Sequence, residues 1–195
     1  MIDLDLDRIE MLLYNAEYKI GFEQTYKEIL YPFLAKIGIL WQTGVIEPFR
    51  EHFASNIIRR KIIGAIENSR FKPRHNAPTA VLFLPEHELH ELGLLYYEYL
   101  LKREGFKTIY LGQIVPFINL VELAKLTNFD LMICSLTMPF PKSTPETYIE
   151  ALLKDLPGKK ILVTGMAAQQ VSLSAENLHI FKNPDALIEL LNALY

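Results

Sequence analysis

The sequence predicts an α + α/β protein: an N-terminal helical bundle, then a five-stranded parallel sheet of the flavodoxin or Rossmann-like kind. Three observations carry this. Up to residue 70 the apolar residues recur at three- and four-residue steps, as helices require. After residue 79, short apolar runs alternate with helical stretches, the pattern of a doubly wound sheet. Between them, Ser69-Arg70-Phe71-Lys72-Pro73-Arg74-His75-Asn76-Ala77-Pro78 is polar and holds two prolines, as a linker does. The domains are therefore expected at residues 1–70 and 79–195.

The first helix is expected over residues 5–18, with Leu6, Ile9, Leu12 and Leu13 on one face. A second runs from about Phe22 to Leu40 and carries Ile29, Phe33, Ile37 and Leu40. Pro32 should bend it, because proline removes one backbone bond and clashes with the preceding turn. Thr43-Gly44 breaks the pattern, and Pro48 suits the first turn of a third helix reaching about Glu67. Strands are expected at Ala80–Leu84, Thr108–Leu111, Leu131–Ser135, Lys160–Thr164 and, more weakly, His179–Lys182. Helices should fill Leu89–Glu104, Phe117–Leu126, Pro145–Asp155 and Pro184–Leu194. A sheet so connected takes the order 2-1-3-4-5 and binds ligands beyond the carboxyl ends of its strands.

Composition narrows the class of function. Hydrophobic residues make up 50% of the 195 and charged residues 22%, so a packed core is expected and disorder is not. A net charge of −3 gives no general attraction to phosphate backbones, so this chain is not itself expected to bind nucleic acid. The single cysteine, Cys134, can form no internal disulfide, which points to the cytoplasm. Met1-Ile2-Asp3-Leu4-Asp5 lacks the basic and apolar regions of a signal peptide. No apolar run approaches the roughly 20 residues that cross a bilayer. Neither Gly-x-Gly-x-x-Gly nor a Gly-x-x-x-x-Gly-Lys-Ser/Thr loop occurs, which disfavours a nucleotide phosphate site.

The chemistry concentrates at three predicted strand ends. Glu88-Leu89-His90-Glu91-Leu92-Gly93 follows the first strand, Ser135-Leu136-Thr137 ends the third, and Gly165-Met166 follows the fourth. In the order 2-1-3-4-5 these strands lie side by side, so the three sites line one crevice. A neutral imidazole is a preferred donor to a borderline transition metal, and Glu88 is placed to fix the tautomer of His90. Gly93 would let a bulky group approach the following helix. Ser135 and Thr137 supply small hydroxyls, and Gly165 is expected to leave an open slot beside them. The plainer reading is that a strand-end histidine is structural, that Glu88 and Glu91 complement a helix N-terminus, and that Ser135 and Gly165 are turn residues. A zinc site through His87 and His90 finds no supporting Cys pair or His-Glu-x-x-His pattern.

The helical region adds Trp41-x9-Glu51-His52 around the only tryptophan. Taken alone, this is a core or interface aromatic with an exposed Glu and His on the next helix. With Glu-x-His-x-x-Gly following it in order, the chain resembles the cobalamin-binding light-sensor region of MerR-type transcription regulators, the CarH and LitR group. Leu111-Gly112-Gln113-Ile114-Val115-Pro116 also looks like the Gly-x-x-Val-Pro turn of corrinoid-binding domains.

The resemblance implies a specific set of roles. The bundle would cap the upper face of a cobalamin, adenosylcobalamin above all, with Trp41 over the upper axial group and Glu51 and His52 beside the adenosyl moiety. His90 would ligate cobalt from below. The dimethylbenzimidazole tail, displaced from cobalt, would enter a channel beside Ser135, Thr137 and Gly165, with Val115 in the neighbouring turn. The implied function is sensing and not catalysis: the cofactor and light would set a homo-oligomeric state, and DNA would be bound only through a DNA-binding domain absent from this chain. Three positions depart from the pattern. Glu88 replaces Asp, Met166 stands where a second glycine is usual, and Gln42 stands where photoreceptor members carry a cobalt-capping histidine. Two alternatives remain open: a corrinoid carrier module for a methyltransferase, and an oligomerisation domain without cofactor.

Overall fold

The computed structural model describes residues 4–138, 140 and 143–195, excepting the side chains of residues 41 and 42. The chain separates into two compact units, Met1–Asn68 and Ser69–Tyr195.

The first unit is helical. Helix α1 (Leu6–Thr25) opens on Asp5, whose carboxylate accepts the Arg8 N–H at 3.0 Å. Gly21, at φ +77° and ψ 164°, interrupts its helical geometry, so residues 6–20 and 22 onward are separate rods, as the sequence divides them. A π turn (Tyr26–Leu30) then leads into α2 (Tyr31–Gln42). This turn is how the helix accommodates Pro32. With no N–H at Pro32 to bond the carbonyl four residues back, the chain widens by one residue, and the Tyr31 N–H reaches Tyr26. The extra residue also rotates the apolar face. Leu30 and Ile37 are buried, whereas Ile29, expected to face inward, is exposed. In α1 likewise Ile9 and Leu13 are buried, while Leu6 and Leu12 are not. Gly44 in the left-handed region ends the rod, and α3 (Pro48–Asn68) begins on Pro48 and buries Ala54, Ile57, Ile58, Ile62 and Ile66.

The second unit is a Rossmann-like three-layer α/β fold. Its elements are β1 (Thr79–Pro85), α4 (Glu91–Arg103), β2 (Lys107–Val115), α5 (Phe117–Leu126), β3 (Leu131–Ser135), α6 (Pro145–Asp155), β4 (Lys160–Thr164), β5 (Leu178–Ile180) and α7 (Pro184–Leu194). All strands pair in parallel in the order β2-β1-β3-β4-β5. Val81, Phe83, Met132, Cys134, Leu136, Ile161 and Val163 form one core with Leu120, Ile149 and Leu152 of α5 and α6. Alternation places Ala80, Leu82, Leu84, Ile133, Ser135, Leu162 and Thr164 on the other face, where α4 packs against β1, β2 and β3.

Several boundaries differ from expectation: β5 ends at Ile180 and does not reach Lys182, and two differences have a clear cause. Strand β2 continues four residues past Leu111, because positive φ at Gly112 and Ile114 and two register shifts against β1 kink it without ending it. Helix α4 starts at Glu91, since Leu89 and His90 are held outside it by Glu88.

Candidate functional site

The chain leaves β1 at Pro85 and turns at His87, a non-glycine residue in the left-handed region (φ +73°). The Glu88 N–H then donates to the Pro85 carbonyl at 3.1 Å, and His90 becomes the residue preceding α4. Glu88 is buried, at 4% exposure. Its Oε1 accepts the main-chain N–H groups of Leu89 and His90, both at 3.0 Å, and lies 2.6 Å from the His90 Nδ1. Its Oε2 accepts the N–H groups of Thr137 (2.8 Å) and Met138 (2.9 Å), which follow β3. From β1 the chain runs outward to β2 and then returns to β3, so β1 and β3 flank the topological switch point where such sheets bind ligands. One carboxylate therefore bridges the two loops of that crevice.

Burial pushes the Glu88 carboxyl up, but the hydrogen bonds it accepts from His90, Met138 and Thr137 outweigh this and hold it at about 2. A carboxylate so fixed accepts from Nδ1–H of a neutral imidazole, which makes Nε2 the ring's donor atom, on the side away from Glu88. The His90 side chain is half exposed, as a group presented to a ligand must be. From the other side, Gln113 Nε2 donates to the Leu89 carbonyl at 2.7 Å, and the Tyr110 hydroxyl donates to Glu91 at 3.3 Å. Gln113 lies between the two kinks of β2, and Tyr110 in the regular part just before them. Val115, 8% exposed, pairs with Pro85 beside the same loop. The contributions of Gln113 and Met138 escape sequence reasoning: the first needs the bulged strand, the second acts through main chain.

The other strand-end residues divide. Ser135 and Thr137 come together, with hydroxyls 3.3 Å apart. Gly93 has an ordinary backbone conformation, and a Cβ there would meet nothing nearer than Tyr97 Cε2 at 4.0 Å. No internal packing demands glycine at this position. Gly165 differs from expectation. Its φ is +99°, and a Cβ would sit 2.5 Å from the Leu136 carbonyl oxygen. The Leu136 N–H bonds to Thr164 at 2.7 Å, and the Ala167 N–H to Leu136 at 2.9 Å. The main chain of the β3 loop thus fills the slot, and Met166 is exposed beyond it. Among the described residues no three His, Cys, Asp or Glu side chains gather to cage a metal. The donor set fits a metal that brings its other ligands with it and takes one imidazole.

In the helical unit, Glu51 and His52 lie in the first turns of α3. Glu51 Oε2 is 2.7 Å from His52 Nδ1, and Oε1 accepts the Ser55 hydroxyl. His52 is largely exposed. The side chains of Trp41 and Gln42 lie outside the described residues. No described helix is long and apolar enough to cross a membrane.

Residues 1–63, within the helical unit, match the family model described as B12 binding domain. The chain is 27% identical over 165 residues to the HTH-type transcriptional repressor CarH of Myxococcus xanthus, covering 83% of this chain and 54% of that one. It is 25% identical over 167 residues to the repressor CarA of the same organism, covering 86% and 56%. The chain thus spans about half the length of the curated relatives it matches. In fold it is similar to the monomethylamine corrinoid protein of Methanosarcina barkeri, with a TM-score of 0.71 at 16% identity over 93% of this chain and 88% of that one. The resemblance carried by the two motifs accordingly extends over most of the chain, and so does the fold it implies.

Proposed function

We propose that this chain is the adenosylcobalamin-binding sensor region of a MerR-type transcriptional regulator. The observation that carries the reading is the buried Glu88 carboxylate, which orients His90 at the switch point and joins the two loops that flank it. The B12 binding domain match in the helical unit and the likeness to CarH support the same conclusion. Residues 79–195 would hold the lower face of the corrin, and the bundle of residues 1–70 would cap the upper face.

In this reading His90 would hold the cofactor's cobalt through Nε2. Glu88 would hold the imidazole by Nδ1 and keep it turned outward, and Gly93, Ser135 and Thr137 would border the cofactor's tail. Trp41, Glu51 and His52 would contact the upper group. When bound, the cofactor supplies a light-labile cobalt–carbon bond. The bundle would be the element that responds to that upper group, a two-state element biased by a ligand. The output is a homo-oligomeric state that controls DNA binding through a part of the regulator outside this sequence.

The test is to mix the protein with adenosylcobalamin in darkness, gel-filter it, and record its visible spectrum and mass before and after illumination. A coloured protein peak whose mass changes in light is expected. A colourless peak after exposure to adenosyl-, methyl- and hydroxocobalamin would overturn the reading in favour of a cofactor-free oligomerisation domain. A second reading, a corrinoid carrier for a methyltransferase, is favoured by the TM-score to the monomethylamine corrinoid protein. A coloured peak of unchanged mass after illumination would select it.

A further inference from the structure

The polar, proline-bearing segment between the helical stretch and the first strand belongs to the α/β unit, which begins at Ser69. From Phe71 onward it is attached to the C-terminal end of α4 and the chain just beyond it. The Phe71 ring meets Tyr99 of α4 edge to face, with centroids 5.6 Å apart, and Tyr99 stacks in turn on Tyr96. The Arg74 N–H donates to the Gly105 carbonyl at 2.9 Å, and the Arg74 guanidinium stands 3.6 Å from the Glu104 carboxylate. Gly105 lies at φ +80°, and a Cβ there would come within 2.4 Å of Arg74 Cγ, so the absence of a side chain is what seats the arginine stem. Asn76, at φ +56°, then turns the chain, and the Ala77 N–H donates to the Arg74 carbonyl at 3.1 Å. Finally the Lys107 N–H, at the start of β2, donates to the Pro78 carbonyl at 3.0 Å.

These attachments are specific in place and small in energy. Phe71 is 39% exposed and the Arg74 side chain 53%, whereas β1 is buried from Ala80 to Pro85. One ring contact and one surface ion pair hold far less than a buried strand does. The segment can therefore part from α4 while the sheet stays closed, as local units of unequal stability do. Parting changes the length of chain between the units. Docked, only residues 69 and 70 separate the end of α3 from the first attachment at Phe71; released, residues 69–78 do. At about 3.5 Å per extended residue, the greatest reach rises from roughly 7 Å to roughly 35 Å.

We infer that residues 71–78 form a strap that docks on the C-terminal end of α4 and releases as one unit, and so sets how far the helical unit can travel from the α/β unit. The strap is a property of the polypeptide and does not depend on which ligand the protein binds.

The experiment is backbone hydrogen exchange on the full chain, read amide by amide by nuclear magnetic resonance. In the parent protein the Arg74 and Ala77 amides should exchange through one shared opening, more slowly than an open chain and faster than the amides of β1. Phe71→Ala should speed both by one common factor, up to about tenfold, the ceiling a single ring contact sets. Glu104→Gln should speed both by up to about fivefold, as loss of a surface ion pair does. The β1 amides should keep their parent rates in both variants. Trypsin reads the same opening at the Arg74–His75 bond, where cleavage should accelerate by the same factors. Open-chain rates at Arg74 and Ala77 in the parent would make the segment a loose tether. Rates as slow as those of β1, unmoved by Phe71→Ala, would make it a fixed part of the fold. Different factors for the two amides would mean that it does not release as a unit. Each of these three results overturns the strap, and the first two are decided in the parent protein, or against it, without reliance on how a variant folds.

Discussion

The molecule holds two Glu–His pairs of nearly the same local geometry and very different construction. In the α/β unit, Glu88 sits 2.6 Å from the Nδ1 of His90; in the helical unit, Glu51 sits 2.7 Å from that of His52. Glu88 is buried, accepts four main-chain N–H groups, and takes them from loops about 50 residues apart in sequence. Glu51 bonds within its own helix, to its neighbour His52 and to Ser55 one turn along. The first imidazole is aimed by tertiary structure and the second by one helix. A group that must hold a metal at a fixed place needs the first arrangement, and a group that answers to what lies above it is served by the second.

The largest effect that would break this comparison concerns the two histidines as ligands. His90→Ala should weaken cobalamin retention by more than the roughly 10- to 100-fold that loss of an orienting partner costs a metal site, while His52→Ala retains the cofactor. Electron paramagnetic resonance of the reduced cobalt(II) protein, with isotopically labelled histidine, should show one coupled nitrogen that disappears in His90→Ala. Persistence of that coupling would make another residue the ligand.

The second effect is on the protein without cofactor. Glu88→Ala strands the Thr137 and Met138 N–H groups and releases the loop of His90, at a cost of about 3 kcal/mol in chemical denaturation. The acid side of the stability curve should show the same group. Glu88 is held at about 2 against an ordinary 4.5, so between these values the unfolded chain binds the extra proton. Its stabilisation is therefore complete above about pH 4.5 and is lost as the pH falls through about 2. Glu88→Gln should flatten that limb, and an unchanged acid limb would mean that the carboxylate does not join the loops in solution.

What could be read from the sequence follows the range of the interactions involved. Strand order, the convergence of the β1 and β3 loops and the pairing of Glu88 with His90 depend on periodicity and short spacing, and all are found in the structure. The exposed position of Ile29 was hidden, because a π turn shifts a helical face by one residue and Pro32 announces only that something must give. The role of Gly165 was hidden too. A glycine that opens a slot and a glycine that lets two main chains touch look alike in sequence, and only the position of Leu136 separates them. Methylene length also acts at a distance. Glu88, which replaces Asp in the pattern, spans His90 and the Thr137–Met138 loop together with its longer side chain.

The third effect sharpens the contrast from the helical side. Trp41→Ala should weaken adenosylcobalamin more than methylcobalamin by roughly tenfold, the scale on which a tryptophan anchor acts at a binding surface. Equal losses for the two cofactors would make Trp41 an ordinary packing residue and return Glu51 and His52 to the surface of α3.

The smallest effect belongs to Glu51 itself. Its hydrogen bonds to His52 and Ser55 lie within one helix, and His52 is 68% exposed, so water replaces what a substitution removes. Such pairs contribute up to about 1 kcal/mol, and Glu51→Ala should move the denaturation midpoint by no more than that. Its effect on binding should instead depend on the upper group: a several-fold loss for adenosylcobalamin, as expected for one exposed hydrogen bond of about 1 kcal/mol, and none for methylcobalamin. Calorimetric titration in darkness with both cofactors reads the difference directly. A stability loss as large as that of Glu88→Ala would show that the helical pair is built into the core and erase the distinction between the two sites. A binding loss shared by both cofactors would place Glu51 at the corrin and not at the adenosyl group.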